Sequence, residues 1–448
     1  MIVPTSRLMW IFGLIACPAL TLAGIEPEQR SLGLAAAGSV LVLAVLDALL
    51  GRNLLGPLVA ELPAIARIVK GREGILPLRL QHEGCRISTV RLALALPAGF
   101  QSSKPELVTG LPDAPASRYS WPVTAPERGH FPITTCHAET PSPMGLWLHR
   151  RALPVRCDVR VQPDLASALQ ANAAFLARAL SGTRSLRQVG KGRDFEKLRD
   201  YIPGDPVDDI HWRATAKRGH PVTKIFQVER TQEVYVLVDA SRLSGRILAP
   251  EHESAIPRRR EPLLEQFIQS ALLLGATAER QGDLFGLLTF ASHVESFVRA
   301  DNGGVHFSSC REQLVSLQVR PVTPDFEELA SFIRVRLRRR ALLLFLTSLD
   351  DPVAAEGFLR AIDLLRYQHL CVVVQPKAPG VQAIFSDDQV STVDDLHHAL
   401  AGHVQWRGLR ELQSALQHRG VTLAMASSDG LAAELVTRYL DVKRRQAL

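Results

Sequence analysis

The sequence predicts an α/β protein in three parts. These are an N-terminal transmembrane helical hairpin, a β-sandwich-like middle domain and a doubly wound, Rossmann-type C-terminal domain. Three observations predict it. Two almost uncharged runs occupy residues 8–25 and 32–50. Short alternating runs punctuated by Pro and Gly fill residues 75–163. Beyond them, the continuous apolar strings EVYVLVDAS, LFGLLTF, ALLLFLTS, HLCVVVQP and VTLAMAS recur between helical stretches. Continuous apolar strands are the mark of a parallel sheet covered on both faces, whereas alternation marks a sheet with one wet face. The expected boundaries are 1–52 for the hairpin, 53–74 for a linker, 75–163 for the β-rich domain, 164–232 for a polar segment packing on the next domain, and 233–448 for the α/β domain.

The composition agrees with this division. Of 448 residues, 46% are hydrophobic and 22% charged, which excludes wholesale disorder. A mean hydropathy of +0.06 is high for a soluble protein and low for a polytopic transporter, as expected for a few apolar spans on a soluble body. The net charge is +7, from 52 basic and 45 acidic residues, so the totals do not point to a nucleic-acid-coating protein. Six cysteines show no Cys-x-x-Cys pair, and those in apolar strings such as HLCVVVQ read as small buried hydrophobes in a reducing compartment.

At about 1.5 Å per residue, the two N-terminal runs cross or nearly cross a ~30 Å hydrocarbon core. Only EPEQRS separates them, which suits a tight hairpin. Arg7 precedes the first run, Arg52 follows the second, and the turn carries Glu26, Glu28 and Arg30. The positive-inside rule therefore puts both ends, and the soluble domains, in the cytoplasm. A cleaved signal peptide is the competing reading of the first run, opposed by the second run that follows at once. Asp47 lies inside the second run but four residues from Gly51, so interfacial placement is expected rather than a functional role.

In open α/β sheets, ligand sites lie beyond the carboxyl ends of the strands. That singles out Asp239, Ser241 and Ser244 after the first strand, Ser292 after the second, and Thr347, Ser348, Asp350 and Asp351 after the third. The string Asp239-Ala240-Ser241 resembles the Asp-x-Ser-x-Ser loop of von Willebrand factor A domains. The resemblance implies an oxygen-ligand site for Mg²⁺ or Mn²⁺ built from Asp239, Ser241, Ser244, Ser348 and Asp350. Two positions depart from the pattern. Leu243 stands at the second Ser, and Ser348 stands where a later Asp is expected, with Asp350 two residues on. A degenerate, metal-free loop, with Asp239 capping a turn, is the other reading. If this loop end docks a partner, Asp239→Ala should alter partner capture more than the fold.

A longer stretch, GKGRDFEKLRDYIPGDPVDDIHWRATAKRGHPVTKIFQVERTQEVYVLVDAS, resembles the signature of the domain of unknown function fifty-eight family. The matching residues are Phe195, Leu198, Arg199, Tyr201, Gly204 and Asp205, then Ile210, His211, Trp212, Arg213, Thr215 and Ala216, then Glu229 and Arg230. The string at 128–147 looks like the family's upstream β element and YLDVKRRQ like its C-terminal ending, while Asp208 and Asp209 depart from its usual basic residue. The resemblance implies a membrane-anchored von Willebrand A-like protein in a bacterial-type inner membrane. It would work as a non-enzymatic scaffold with a MoxR-type AAA+ ATPase, and with other von Willebrand A or membrane proteins, in complex assembly, maturation or envelope stress.

Two readings of the signature residues stand side by side. Trp212 and Tyr201 pack the segment onto the sheet with Arg199 and Asp205 paired beneath, or Trp212 and Arg213 anchor a partner. Other function classes fare poorly. No Gly-x-Ser-x-Gly elbow or His-Glu-x-x-His occurs, and Gly190-Lys191-Gly192 lacks the phosphate loop's first Gly and its hydroxyl after Lys. The runs Arg258–Arg260 and Arg334–Arg340 lack the aromatic companions of a nucleic-acid groove and suit an anionic lipid face or an acidic partner. Extracellular adhesion through a metal is opposed by the orientation argument and the unpaired cysteines.

Overall fold

The computed structural model describes residues 1–25, 27–82, 87, 89–111, 114–171, 189–205, 207–227, 232–248, 261–384, 386, 392–427 and 430–445. The chain divides into two compact units, 1–163 and 164–448.

The first unit opens on a three-residue strand, β1 (Ile2–Pro4), followed by the helices α1 (Ser6–Ile25) and α2 (Arg30–Gly51). Both helices are long and apolar enough to cross a membrane, with mean hydropathies of 2.1 and 2.2. They meet where α2 carries Gly33: a Cβ there would lie 2.3 Å from the Ala19 carbonyl oxygen, so only glycine lets the helices come this close. Eight strands follow. They are β2 (Val59–Glu61), β3 (Ile65–Val69), β4 (Glu73–Gln81), β5 (Thr89–Leu94), β6 (Leu107–Gly110), β7 (Ala116–Thr124), β8 (Gly129–Pro141) and β9 (Trp147–Gln162). They form a three-stranded sheet, β2-β4-β7, and a six-stranded sheet, β1-β9-β8-β5-β6 with β3 on β9. Alternate residues of the two sheets, among them Leu76, Leu78, Leu80, Trp121, Leu92, Ile133 and Val159, share one buried core, so the middle domain is a sandwich. Residues 53–74, expected as a linker, instead carry β2 and β3. The strands are only three and five residues long, too short for their alternation to stand out in the sequence.

β1 pairs with β9 in the register Ile2↔His149 to Pro4↔Trp147, so both ends of the helical hairpin emerge on the same side. The 142–147 loop between β8 and β9 is tied to α2 through Asp47. This side chain is fully buried within the unit. Its carboxylate accepts hydrogen bonds from the Ser142 hydroxyl and from the amides of Met144 (2.9 Å) and Leu146 (3.0 Å). Trp147 Nε1 donates to the Ala44 carbonyl one turn earlier in α2, at 2.7 Å. The acid in the apolar run thus fastens the hairpin to the sandwich, a role that spacing alone did not reveal.

The second unit begins with α3 (Leu165–Ala171), whose Leu165 and Leu169 pack on its core. A small lobe follows, made of the antiparallel pair β10 (Val189–Asp200) and β11 (Val222–Gln227) around α4 (Trp212–Arg218). The main sheet comprises β12 (Glu233–Asp239), β13 (Leu284–Phe290), β14 (Val294–Asp301), β15 (Leu342–Leu346), β16 (Leu370–Pro376) and β17 (Thr422–Ala426), in the order β14-β13-β12-β15-β16-β17. The five apolar strings are its five parallel strands. The sixth, β14, is an antiparallel edge strand that the apolar pattern did not announce, because none of its residues is fully buried.

Even residues of β12, Val234, Val236 and Val238, face α5 (Leu263–Arg280), α6 (Gly304–Ser316) and α10 (Leu431–Arg444). Odd residues, Tyr235 and Leu237, face α7 (Phe326–Arg336), α8 (Pro352–Leu365) and α9 (Val393–His418). A strand's period of two therefore fills two helical layers at once. Residues 439–444 of the YLDVKRRQ ending lie in α10, where the Tyr439 hydroxyl and Lys443 Nζ (2.7 Å) both donate to buried Asp283 just before β13. The five described cysteines are free, four of them buried, and burial pushes the Cys371 thiol up to about 12.

Replacing Asp47 by Ala would orphan three donors and should cost about 3 kcal/mol, whereas Asp47→Asn keeps an acceptor and should cost less. Thermal unfolding of the full chain in detergent reads the difference. Identical melting of wild type and Asp47→Ala would remove this fastening role.

Candidate functional site

The strand order reverses direction between β12 and β15, and the crevice beyond their carboxyl ends is where a doubly wound sheet places its ligand site. β12 ends at Asp239, and the first residue after β15 is Thr347, so parallel pairing of Val238 with Leu346 brings the two side by side. Thr347 Oγ1 donates to Asp239 Oδ2 at 2.6 Å, and the Ser241 amide donates to Oδ1 at 2.8 Å. The segment 317–325 closes over them through the Arg320 amide to the Ala240 carbonyl (2.7 Å) and the Arg242 amide to the Val322 carbonyl (2.9 Å). Asp239 is fully buried, and burial pushes its carboxyl above the ordinary range against the hydrogen bonds from Thr347 and Ser241.

The rest of the expected ligand set is turned to other work. Ser241 Oγ accepts from the Leu243 amide at 3.3 Å, and Ser244 Oγ donates to the Ser241 carbonyl at 2.8 Å, so both hydroxyls build the short turn Arg242–Gly245. Leu243 is buried within that turn. Ser348 Oγ donates to Asp350 Oδ2 at 2.9 Å, and Arg246 lies 3.6 Å from the same carboxylate. Burial raises the Asp350 carboxyl, against Ser348 and Arg246, which lower it. Asp351 caps α8 through the Val353 amide and pairs with Arg242 at 3.1 Å. Ser292 sits exposed beside His293 and makes no contact with Asp239.

A hard divalent ion takes six or more oxygen ligands, carboxylates foremost. Both Asp239 oxygens are committed to protein donors, Leu243 occupies the second hydroxyl position, and Ser348 replaces the later carboxylate. Among the described residues, no three His, Cys, Asp or Glu side chains form a metal-holding group. These residues do not fit a resident Mg²⁺ or Mn²⁺. Thr347, left out of the ligand set read from the sequence, is the residue that holds Asp239. Its signal was its place directly after an apolar strand.

The lobe separates the signature residues into two kinds. Arg199 donates to Asp205 Oδ1 at 2.7 Å, and the Ile202 amide and Thr223 hydroxyl donate to Oδ2. The Ile202 amide and then Arg199 and Thr223 hold the Asp205 carboxyl below the usual range. Gly204, at φ +110°, makes the turn that brings Asp205 back. His211 caps α4 by accepting from the Ala214 amide at Nδ1, and Thr215 Oγ1 accepts from the Val222 amide. Tyr201 is half-buried, its amide bonded to the Pro221 carbonyl. These are braces. Trp212 and Arg213 are not: Trp212 is 65% exposed, and Arg213 is exposed as well. The packing reading therefore holds for Arg199 and Asp205 and fails for Trp212. Glu229 and Arg230 lie outside the described residues.

With this geometry in place, comparisons become informative. The family model described as "Protein of unknown function DUF58" matches residues 197–394, from β10 to the start of α9. The resemblance read from the signature is thus met over this range, while the strings at 128–147 and 439–446 lie outside it. The family match lies within the second unit, whose main body is an α/β domain built on a doubly wound, mainly parallel sheet. No curated protein matches the sequence.

Among solved structures, the SpRpn10 VWA domain is similar at 12% identity and a TM-score of 0.27, with 46% of this chain and 94% of that one covered. An aerotolerance-related membrane protein from Bacteroides fragilis NCTC 9343 is similar at 13% identity and a TM-score of 0.29, covering 47% and 98%. Proximal thread matrix protein 1 from the mussel byssus, with a zinc-occupied MIDAS motif, is similar at 10% identity and a TM-score of 0.25, covering 47% and 46%.

Two outcomes follow for the Asp239 loop. The folded state holds the Asp239 proton more tightly than the unfolded chain does. This group's contribution to stability therefore falls as pH rises from the ordinary carboxylate value, about 3.9, through the raised one. Asp239→Asn should flatten that fall in melting curves taken between about pH 4 and 8. Adding Mg²⁺ should leave the melting temperature unchanged, since only a ligand that binds the folded state shifts it. A saturable Mg²⁺-dependent rise would show that the loop opens to take the ion.

Proposed function

We propose that this chain is a membrane-anchored, non-enzymatic scaffold that presents its signature lobe to a MoxR-type AAA+ ATPase during assembly or maturation of another protein, or in envelope stress. The observation that carries this reading is the exposure of Trp212 on a lobe whose other signature residues brace it. Burying a side chain of this size on a partner is a common source of binding energy, and Arg213 beside it adds a planar cation. Asp239 contributes differently from the expectation stated above. Being buried and fully hydrogen-bonded, it acts on the fold, so Asp239→Ala should destabilise the domain before it alters capture.

The same reading places the hairpin in a bacterial inner membrane with both soluble units in the cytoplasm. The arginines flanking the apolar runs and the pairing of β1 with β9 support a two-pass arrangement with its ends together. A role without catalysis of its own is part of the same reading. The von Willebrand A-like domain is read as a rigid mount.

The test is co-purification from membranes, with bound chains identified by mass spectrometry. Wild type should retain an AAA+ ATPase, and Trp212→Ala should bind it about thirtyfold more weakly or worse, because truncating a central aromatic anchor costs roughly 2 kcal/mol or more. The variant should melt like wild type, since Trp212 is largely exposed. Equal capture by both proteins would sink the lobe as the docking surface, and a wild type that retains no AAA+ ATPase would sink the partner.

A further inference from the structure

A second concavity lies at the other end of the sheet, where β12 begins. It encloses ≈ 310 Å³. Its buried lining residues are Tyr235 and Leu337, and around them stand Arg299 from β14 and Arg336, Arg338 and Arg339 from the chain leaving α7. One carboxylate, Glu233, shares the site with these four guanidinium groups and lies 3.9 Å from Arg339. Arg336 stacks over the Phe332 ring at 5.7 Å, which orients its planar face. The Tyr235 hydroxyl accepts the Ala300 amide at 3.1 Å and so holds the β14 backbone beside the pocket.

Four like charges gathered in one concavity repel one another, and a single carboxylate does not offset them. All four of these arginines are exposed, and they meet at one concavity. Here three of the five arginines in 334–340 line one pocket, while Arg334 and Arg340 do not. Arginine is the side chain whose planar fork matches phosphate oxygens two at a time. The volume is at the small-ligand end of binding cavities. Base stacking is not available, because the aromatic in the lining, Tyr235, is buried.

We propose that this pocket binds a phosphate-bearing anion, held by Arg299, Arg336, Arg338 and Arg339. The site is separate from the Asp239 loop and from the Trp212 lobe, and it does not depend on the scaffold reading. The phosphate could belong to a free small molecule or to a lipid headgroup, and the chemistry of recognition is the same.

The experiment is calorimetric titration of inorganic pyrophosphate into the full chain in phosphatidylcholine nanodiscs at low salt, repeated in discs containing phosphatidylglycerol. Wild type should bind saturably in the first disc. The double variant R338A/R339A should bind about tenfold more weakly or worse, since it removes two of the four guanidinium groups that can fork onto phosphate oxygens. R334A/R340A removes the same charge outside the pocket and should bind as wild type does. Weaker pyrophosphate binding in phosphatidylglycerol discs, by wild type but not by R338A/R339A, would identify the headgroup as an occupant. An unchanged affinity there would identify the free anion. No saturable binding by wild type in either disc would overturn the proposal. So would an equal loss in the two double variants, both melting as wild type does.

Discussion

A carboxylate taken out of water costs several kcal/mol unless donors replace the lost hydration. This chain meets that constraint at each place where its parts are fastened. Asp47 lies inside an apolar helix and is satisfied by two amides and a hydroxyl from the β8–β9 loop. Asp239, at the end of the central strand, is satisfied by Thr347 and by the Ser241 amide. Asp283, just before β13, is satisfied by Tyr439 and Lys443 of the last helix. Each is 2% exposed or less, and each joins segments about a hundred residues apart in sequence or more. The donors must be present together for the acid to be tolerated, so each site selects one arrangement of the elements it joins.

The Asp239 loop shows the same principle at the end of a central strand. With Leu243 in place of a hydroxyl and Ser348 in place of a carboxylate, Asp239 has too few oxygen companions to hold an ion. It is instead satisfied by the neighbouring strand, and the loop closes into a turn. Exposed chemistry moves to other places: an aromatic and an arginine on the lobe, and an arginine-lined pocket at the opposite end of the sheet.

The signature itself is mostly architecture. Arg199, Gly204, Asp205, His211 and Thr215 spend their polar atoms or conformational freedom on closing the lobe. A motif specific in order and spacing can therefore be a folding instruction first, with function carried by the few members that the fold leaves outside. The string could not separate the two kinds, because both are polar or aromatic and evenly spaced. Only the direction of each side chain distinguishes Asp205 from Arg213.

The sequence by itself determined the elements whose signal is local. Two apolar runs became two helices of membrane length, and five continuous apolar strings became five parallel strands. Period-two patterns between turn residues became a sandwich. These follow from hydropathy and side-chain period, which neighbours in the chain express directly. The edge strand β14 and the short strands β2 and β3 carry too few buried residues to announce themselves. What only the tertiary structure decided is the partnership of groups far apart in sequence. It showed that Asp47 serves a β-hairpin, that Thr347 occupies Asp239, that Trp212 stays outside, and that arginines from two elements face one another. A carboxylate or a guanidinium has the same sequence signature whatever it meets. Its role is set by the donors, acceptors and water that the fold places around it.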